Sequence, residues 1–481
     1  MQRMNWVFAP LLILVCWMPL PFGSVQPWAW SLMALVTGSL LVAWGAEVAL
    51  RGKRRVHVPR RLKWSFICYL LVTSWALFQI SSLAPMAWQH PVWQIAAEAL
   101  PAPGPGRIAV DPQVGLHIIL RLTSYAAIFW LAFQTGHDRG LAKFGLGGIA
   151  VASAATVAMG MMSWLMGWPD FLWFRAFGPE NQASHGGRLA MPFVNPNHLS
   201  TLAGIGLVCA VGFLVGESRG LWRPDTPRQE KLRRFLEMVV AKYWYVVASC
   251  LVLAAALVMS ISRGGFVAAA FGFIALLAAL MRQSRPRASF SFVLVLGTAL
   301  AVIALFGPGL ARLLDRIDQT DLGADQRIAI YENSLDAIAA SPLLGYGLGS
   351  FKSVYRMYDR SNLTTVVDAA HNSFLENTLE LGIVGSLVLF SAIMVPVITC
   401  WNGAALRRQD QHIPAVAFGV SILCAAHSLV DFPMQIPAIA ASFAFILGIG
   451  CAQALISSVA QRGTQSGRRS VGLRRTDPGT S

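Results

Sequence analysis

Twelve apolar runs, each close to the length of a membrane-crossing helix, limit what this chain can fold into. A hydrocarbon core of roughly 30 Å takes about 20 helical residues, and a backbone in lipid must satisfy its own hydrogen bonds. The runs fall at 6–22, 28–49, 64–84, 114–134, 141–166, 198–216, 243–261, 265–281, 289–308, 379–400, 413–430 and 436–457. The expected fold is all-α: a polytopic integral membrane protein of about twelve transmembrane helices with a large outer helical loop. The first run carries Pro10, Pro19 and Pro21, but Pro27-Trp28 leads straight into the second, so it reads as a span and not a signal peptide. With 55% hydrophobic and 13% charged residues, the apolar excess is more than one soluble core can use. The expected organisation is an N-terminal bundle of about nine spans at 1–308, a long loop at 309–378, C-terminal spans at 379–457 and a disordered basic tail at 458–481.

A net charge of +15 raises the question of nucleic acid, but the basic residues lie in short clusters between apolar runs. That is the pattern of cytoplasmic loops, so no nucleic-acid partner is expected. A cytoplasmic N-terminus puts most of the 38 Lys and Arg inside, in clusters such as Arg51–Lys63, Arg219–Lys242 and Arg462–Arg475. An even number of spans then leaves both termini cytoplasmic, and the tail is able to touch anionic lipid. The seven cysteines lie in or beside apolar runs without C-x-x-C spacing, which argues against a disulfide framework or a zinc site.

This topology makes the outer connections 85–113, 167–197 and 309–378 the place to look for chemistry. In the last, Ile328, Tyr331, Leu335 and Ile338 have the spacing of one apolar helix face, and Ser341-Pro342 ends that helix. The G-x-G-x-G of Gly345, Gly347 and Gly349 follows no buried strand and precedes no fingerprint acid, so it reads as a tight turn and not a nucleotide loop. Arg263, in Ser262-Arg263-Gly264 between two runs, needs an anionic or carbonyl partner, and its planar fork suits a phosphate, with snorkelling to headgroups as the plainer reading. Arg188 precedes the N-P-N-H entry into the sixth run, where Asn195 or Asn197 can cap a helix whose free N–H groups face outward.

His371 stands just ahead of the tenth run. A neutral imidazole there can take a proton from a sugar hydroxyl. Glu376 and Glu380 share a helix face just beyond it; one of them can orient or polarise the ring, and both are expected to support its helix. No second histidine lies nearby, so no metal is expected.

These residues carry a resemblance. The S-R-G at 262–264, the R-x3-Y of Arg327 and Tyr331 ahead of the glycine turn, the H-N of His371 and Asn372, the N-P-N-H at 195–198 and the segment His427–Phe432 together look like the bacterial O-antigen ligase and polymerase superfamily. The likeness spans about 175 to 440. It implies a GT-C-like, metal-independent, inverting glycosyltransferase of the inner membrane with a periplasmic site and no cofactor. The implied donor is an undecaprenyl-diphosphate-linked oligosaccharide or polysaccharide, and the implied acceptor a glycan or a lipid A core. It also implies that His371 is catalytic and that Arg263 and Arg188 bind the diphosphate, with Arg175 as a substitute for Arg188; Glu376, Glu380, Asn372, Asn195 and Arg327 are expected to support them. A transporter, with Arg121, Glu47 and Asp431 as pathway charges, is the alternative.

Overall fold

The computed structural model describes residues 5–51, 56–101, 104–166, 188–221, 227–282, 322–359, 367–407 and 409–472. In order these form helices α1 (Asn5–Trp17), α2 (Pro27–Arg51), α3 (Arg60–Ile80), α4 (Val92–Ala99), α5 (Pro112–Thr135), α6 (Arg139–Leu165), α7 (Pro196–Ser218), α8 (Arg228–Met238), α9 (Trp244–Met259), α10 (Arg263–Met281), α11 (Leu322–Ala340), α12 (Phe351–Tyr358), α13 (Ser373–Leu406), α14 (His412–Ser428) and α15 (Pro437–Gly472). Nine of the twelve apolar runs coincide with helices long and apolar enough to cross a membrane, and two more with the shorter Trp6–Trp17 and His412–Ser428. The run at 289–308 lies outside the described residues. The apolar part of α15 ends at Leu455, and the helix continues to Gly472.

Helix α7 and the apolar part of α15 are almost wholly buried, whereas α2 and α3 expose most of their surface. The former are therefore the centre of the bundle, and the latter offer apolar surface to lipid. Residues from α1, α5, α6, α7, α9, α10, α14 and α15 share one core. A separate small core joins Ile330, Ala337, Tyr346, Phe351, Val354 and Tyr355 to Ala370 and Leu379 at the head of α13. Burying side chains the size of Tyr346 or Phe351 contributes on the order of 2 kcal/mol each.

The apolar face expected on α11 is rotated from its sequence pattern. Ile328 and Leu335 are each 55% exposed, while Ile330, Asn333, Ser334, Ala337 and Ile338 are buried. Polar residues tolerate the inside because they have partners: Asn333 Nδ2 donates to the Tyr355 hydroxyl at 3.3 Å, and Ser334 Oγ to the Ile330 carbonyl at 2.6 Å.

The glycine turn has a structural task. Helix α13 breaks at Gly382, whose φ of 74° and ψ of 168° are not helical. A break frees carbonyls that would otherwise be orphaned at the edge of the bundle. The Leu379 carbonyl accepts from Tyr346 N (3.2 Å), that of Glu380 from Gly347 N (2.8 Å) and Gln79 Nε2 (3.0 Å), and that of Leu381 from Trp75 Nε1 (3.0 Å). The Glu380 carboxylate takes the Phe351 N–H at 3.2 Å, where α12 begins. Gly345 sits against this break at φ 63°, and a Cβ there would lie 2.4 Å from the Glu380 carbonyl oxygen. Gly345→Ala is therefore expected to cost about 2 to 4 kcal/mol, from left-handed backbone strain plus the clash. Thermal unfolding in detergent checks this, with Gly38→Ala, where a Cβ meets nothing within 4 Å, as the unaffected control.

Candidate active site

Three helix starts meet at one end of the bundle, each capped by a short polar side chain. Asn195 Oδ1 accepts from Asn197 N (2.8 Å) at α7, Ser262 Oγ from Gly265 N (3.1 Å) at α10, and Asn372 Oδ1 from Phe374 N and Leu375 N (3.0 Å each) at α13. Of the two asparagines offered as the α7 cap, Asn195 holds that position. Helix N-termini carry partial positive charge, so three together favour an anion.

Around them the side chains form a continuous chain. Arg188 donates through Nε to the Ser260 carbonyl at 3.0 Å and through Nη2 to Asn197 Oδ1 at 3.2 Å. Ser262 Oγ donates to the same Asn197 oxygen at 2.8 Å, and Asn197 Nδ2 donates to Asp431 Oδ2 at 2.5 Å. The other oxygen of Asp431 lies 3.3 Å from His371 Nδ1. Arg263 is the first residue of α10, directly after Ser262. Arg188, Arg263 and His371, which are 183 residues apart at their extremes in sequence, thus share one end of the bundle through Asn197, Ser262 and Asp431. Arg175 lies outside the described residues.

Neither glutamate touches the His371 ring; both hold the segment that carries it. Glu376 accepts from Ala370 N (2.9 Å) and Gln435 Nε2 (2.5 Å), and Glu380 from the start of α12, so both carboxylates are committed to backbone and amide donors. They shape the segment that carries His371; the group that addresses its ring is Asp431. That residue was visible only as part of the His427–Phe432 segment and as a possible transport charge, because nothing in a sequence ties positions 60 apart. The other two transport candidates are engaged elsewhere, Arg121 over the Trp30 ring at 5.0 Å and Glu47 with Trp6 Nε1 at 3.2 Å.

Burial alone would raise the Asp431 carboxyl, but the hydrogen bond with His371 and the imidazoles of His198, His371 and His427 outweigh it and hold the group well below the usual carboxylate range. An ionised carboxylate only accepts, so the proton of this bond sits on His371 Nδ1 and the lone pair on Nε2. A ring held in this tautomer, with a side chain 32% exposed, presents Nε2 as a hydrogen-bond acceptor.

The His371 backbone is held as firmly. Its φ is 51°, a left-handed value that costs a non-glycine residue about 1 to 2 kcal/mol. Ala370 N is tied to Glu376 on one side, Asn372 caps α13 on the other, and the Tyr331 hydroxyl donates to the His371 carbonyl at 3.2 Å. Burial pushes the Tyr331 phenol up while nearby Arg327 pulls it down, so it stays a protonated donor. Phe432 stands edge-on to both His371 and the buried His198, with centroids at 5.1 and 4.9 Å. Among the described residues no three His, Cys, Asp or Glu side chains converge in a metal-holding group.

The opposite end of the bundle is also charged and carries ion pairs. Lys143 meets Glu217 at 3.0 Å and Asp410 at 3.4 Å, and Arg407 reaches Asp410 at 3.7 Å. Glu217 is near the far end of the 23-residue α7, roughly 30 Å from Asn197 by helix rise.

Comparison with known proteins agrees with the motifs. Residues 248–390 match the model of the O-antigen ligase family. Arg263 and His371 fall inside that stretch, and the match supports the resemblance to the O-antigen ligase and polymerase superfamily. Arg188, Asn197 and Asp431 lie outside it. No curated protein matches the chain.

Proposed function

We propose that this chain is a metal-independent, inverting membrane glycosyltransferase that transfers or polymerises undecaprenyl-diphosphate-linked glycans on the periplasmic face of the inner membrane, in O-antigen or exopolysaccharide assembly. The observation that carries the reading is the hydrogen-bonded chain from Arg188 through Asn197 and Asp431 to His371, with Arg263 beside it. It puts anion-binding groups and an oriented base at one site, as a sugar diphosphate and an acceptor hydroxyl together require. The basic clusters at the other ends of the spans support a cytoplasmic location for those ends and for both termini, and so a periplasmic site.

In the proposed reaction, His371 Nε2 takes the proton of the acceptor hydroxyl as its oxygen attacks the anomeric carbon. The bond from that carbon to the diphosphate oxygen breaks on the opposite face, the configuration inverts, and undecaprenyl diphosphate leaves with the electron pair. Arg188, Arg263 and the three helix N-termini stabilise the charge that grows on the leaving group. Asp431 stabilises the imidazolium that forms on His371, as the third member of an acid–base triad does. Guanidinium groups supply the charge stabilisation that a metal supplies in other phosphoryl-linked leaving groups, so the proposed step needs no cation.

Purified protein in proteoliposomes, given lipid-linked donor and acceptor with EDTA present, should form the glycan product and release undecaprenyl diphosphate. Solute flux without transfer to either a lipid-linked repeat or a lipid A core would favour a transporter instead. Deletion in the producing cell distinguishes the acceptors: single lipid-linked repeats accumulate if the chain is a polymerase, finished chains if it is a ligase. In the same assay Tyr331→Phe should lower kcat about five- to tenfold, the worth of one net hydrogen bond, with little change in the melting midpoint.

A further inference from the structure

Asn197 stands between the donor end of the site and the base, and its geometry allows little freedom. Its Oδ1 accepts from Arg188 Nη2 (3.2 Å) and Ser262 Oγ (2.8 Å), while Nδ2 donates to Asp431 Oδ2 (2.5 Å). A guanidinium and a hydroxyl at one end and an ionised carboxylate at the other select one amide orientation, since the flipped group would face donor with donor and acceptor with acceptor. The backbone of Asn197 is fixed as well. Its N–H meets Asn195 Oδ1 at 2.8 Å, and its carbonyl accepts from Ser200 Oγ at 2.7 Å and Thr201 Oγ1 at 2.9 Å. Thr201 Oγ1 in turn lies 2.7 Å from Nδ1 of the buried His427.

A rigid planar group bonded at both ends transmits displacement instead of absorbing it. Resting on the functional reading above, we propose that Asn197 is a positioning residue that couples the grip of Arg188 on the donor diphosphate to the aim of Asp431 at His371. The base is then best oriented when the guanidinium is in its donor-bound place. Within this relay, Asn197 bonds directly to both Arg188 and Asp431.

The test is a double-mutant cycle in the proteoliposome assay with the full chain. Arg188→Lys and Asp431→Asn are made singly and together, first with Asn197 in place and then in an Asn197→Ser background. With Asn197, the double variant should retain at least fivefold more kcat/KM than the product of the single losses predicts; in the Asn197→Ser background the losses should multiply to within about twofold. A second variant, Asn197→Asp, keeps the acceptor for Arg188 and Ser262 but sets a carboxylate against Asp431. It should lower kcat at least tenfold, leave the donor KM within about threefold, and move the ascending limb of the kcat–pH profile to higher pH, because added negative charge favours the imidazolium. Losses that multiply in both backgrounds, or an Asn197→Asp variant with a lower melting midpoint but unchanged kcat and pH profile, would overturn the coupling and leave Asn197 as helix-start packing. A wild-type chain that transfers nothing overturns the functional reading and the coupling with it.

Discussion

His371→Gln is expected to lower glycan transfer by about three orders of magnitude, the middle of the range for a lost general base. The side chain stays polar and of similar reach, so the loss should appear in kcat with the melting midpoint nearly unchanged. Asp431→Asn should come within about tenfold of the same loss, because an amide cannot hold His371 in the Nδ1–H tautomer and leaves the imidazolium without its counter-charge. The two losses should overlap strongly when combined, since they damage one unit. Asp431 also links stability to pH. Its folded carboxyl lies below the unfolded value of about 4, so its contribution is fully present above that pH and is lost as the pH falls toward the folded value. The difference in melting midpoint between wild type and Asp431→Asn should therefore be largest above about pH 4 and shrink as the pH falls further. A difference that stays undiminished well below about pH 4 would contradict an ionised Asp431.

Arg263→Ala is expected to lower kcat/KM about 10²- to 10³-fold, the usual cost of removing one fixed stabiliser of developing charge. Arg263→Lys should recover only part of this, because an ammonium keeps the charge but not the planar fork that meets two phosphate oxygens at once. Activity in EDTA should be the same as without it for wild type, and added magnesium should not rescue Arg263→Ala. A variant that loses nothing would return Arg263 to the plain role of an arginine reaching lipid headgroups.

The polarity of the chain explains why its spans are readable one by one. Apolar length is a local property, and lipid imposes helix on any run long enough to cross it. Ionisable residues at the ends of such runs are readable for the same reason: desolvating them is costly, so Arg263, Arg188 and His371 stand out without any knowledge of their neighbours. The helix break at Gly382 escapes this reading, because a glycine within an apolar stretch looks like one more small residue. Its left-handed conformation is favoured only once the glycine turn and the side chains of α3 are there to take the carbonyls it releases.

Partnership is where local reasoning stops. Glu376 and Glu380 lie one helical turn apart and five and nine residues beyond His371, so spacing alone offers them as its orienting acids. Packing gives that position to Asp431, from the connection between α14 and α15, and engages both glutamates with backbone and amide donors. The same holds for α11, where hydrogen-bond partners from α12 let Asn333 turn inward and leave Ile328 outside. The spans, the ends of the spans to which charge is confined and the charged residues themselves follow from hydropathy and charge along the chain. Which carboxylate faces the histidine, and the place of Asn197 between Arg188 and Asp431, are decided by the meeting of α7, α10 and α13, because a buried polar group takes whichever partner folding brings within about 3 Å.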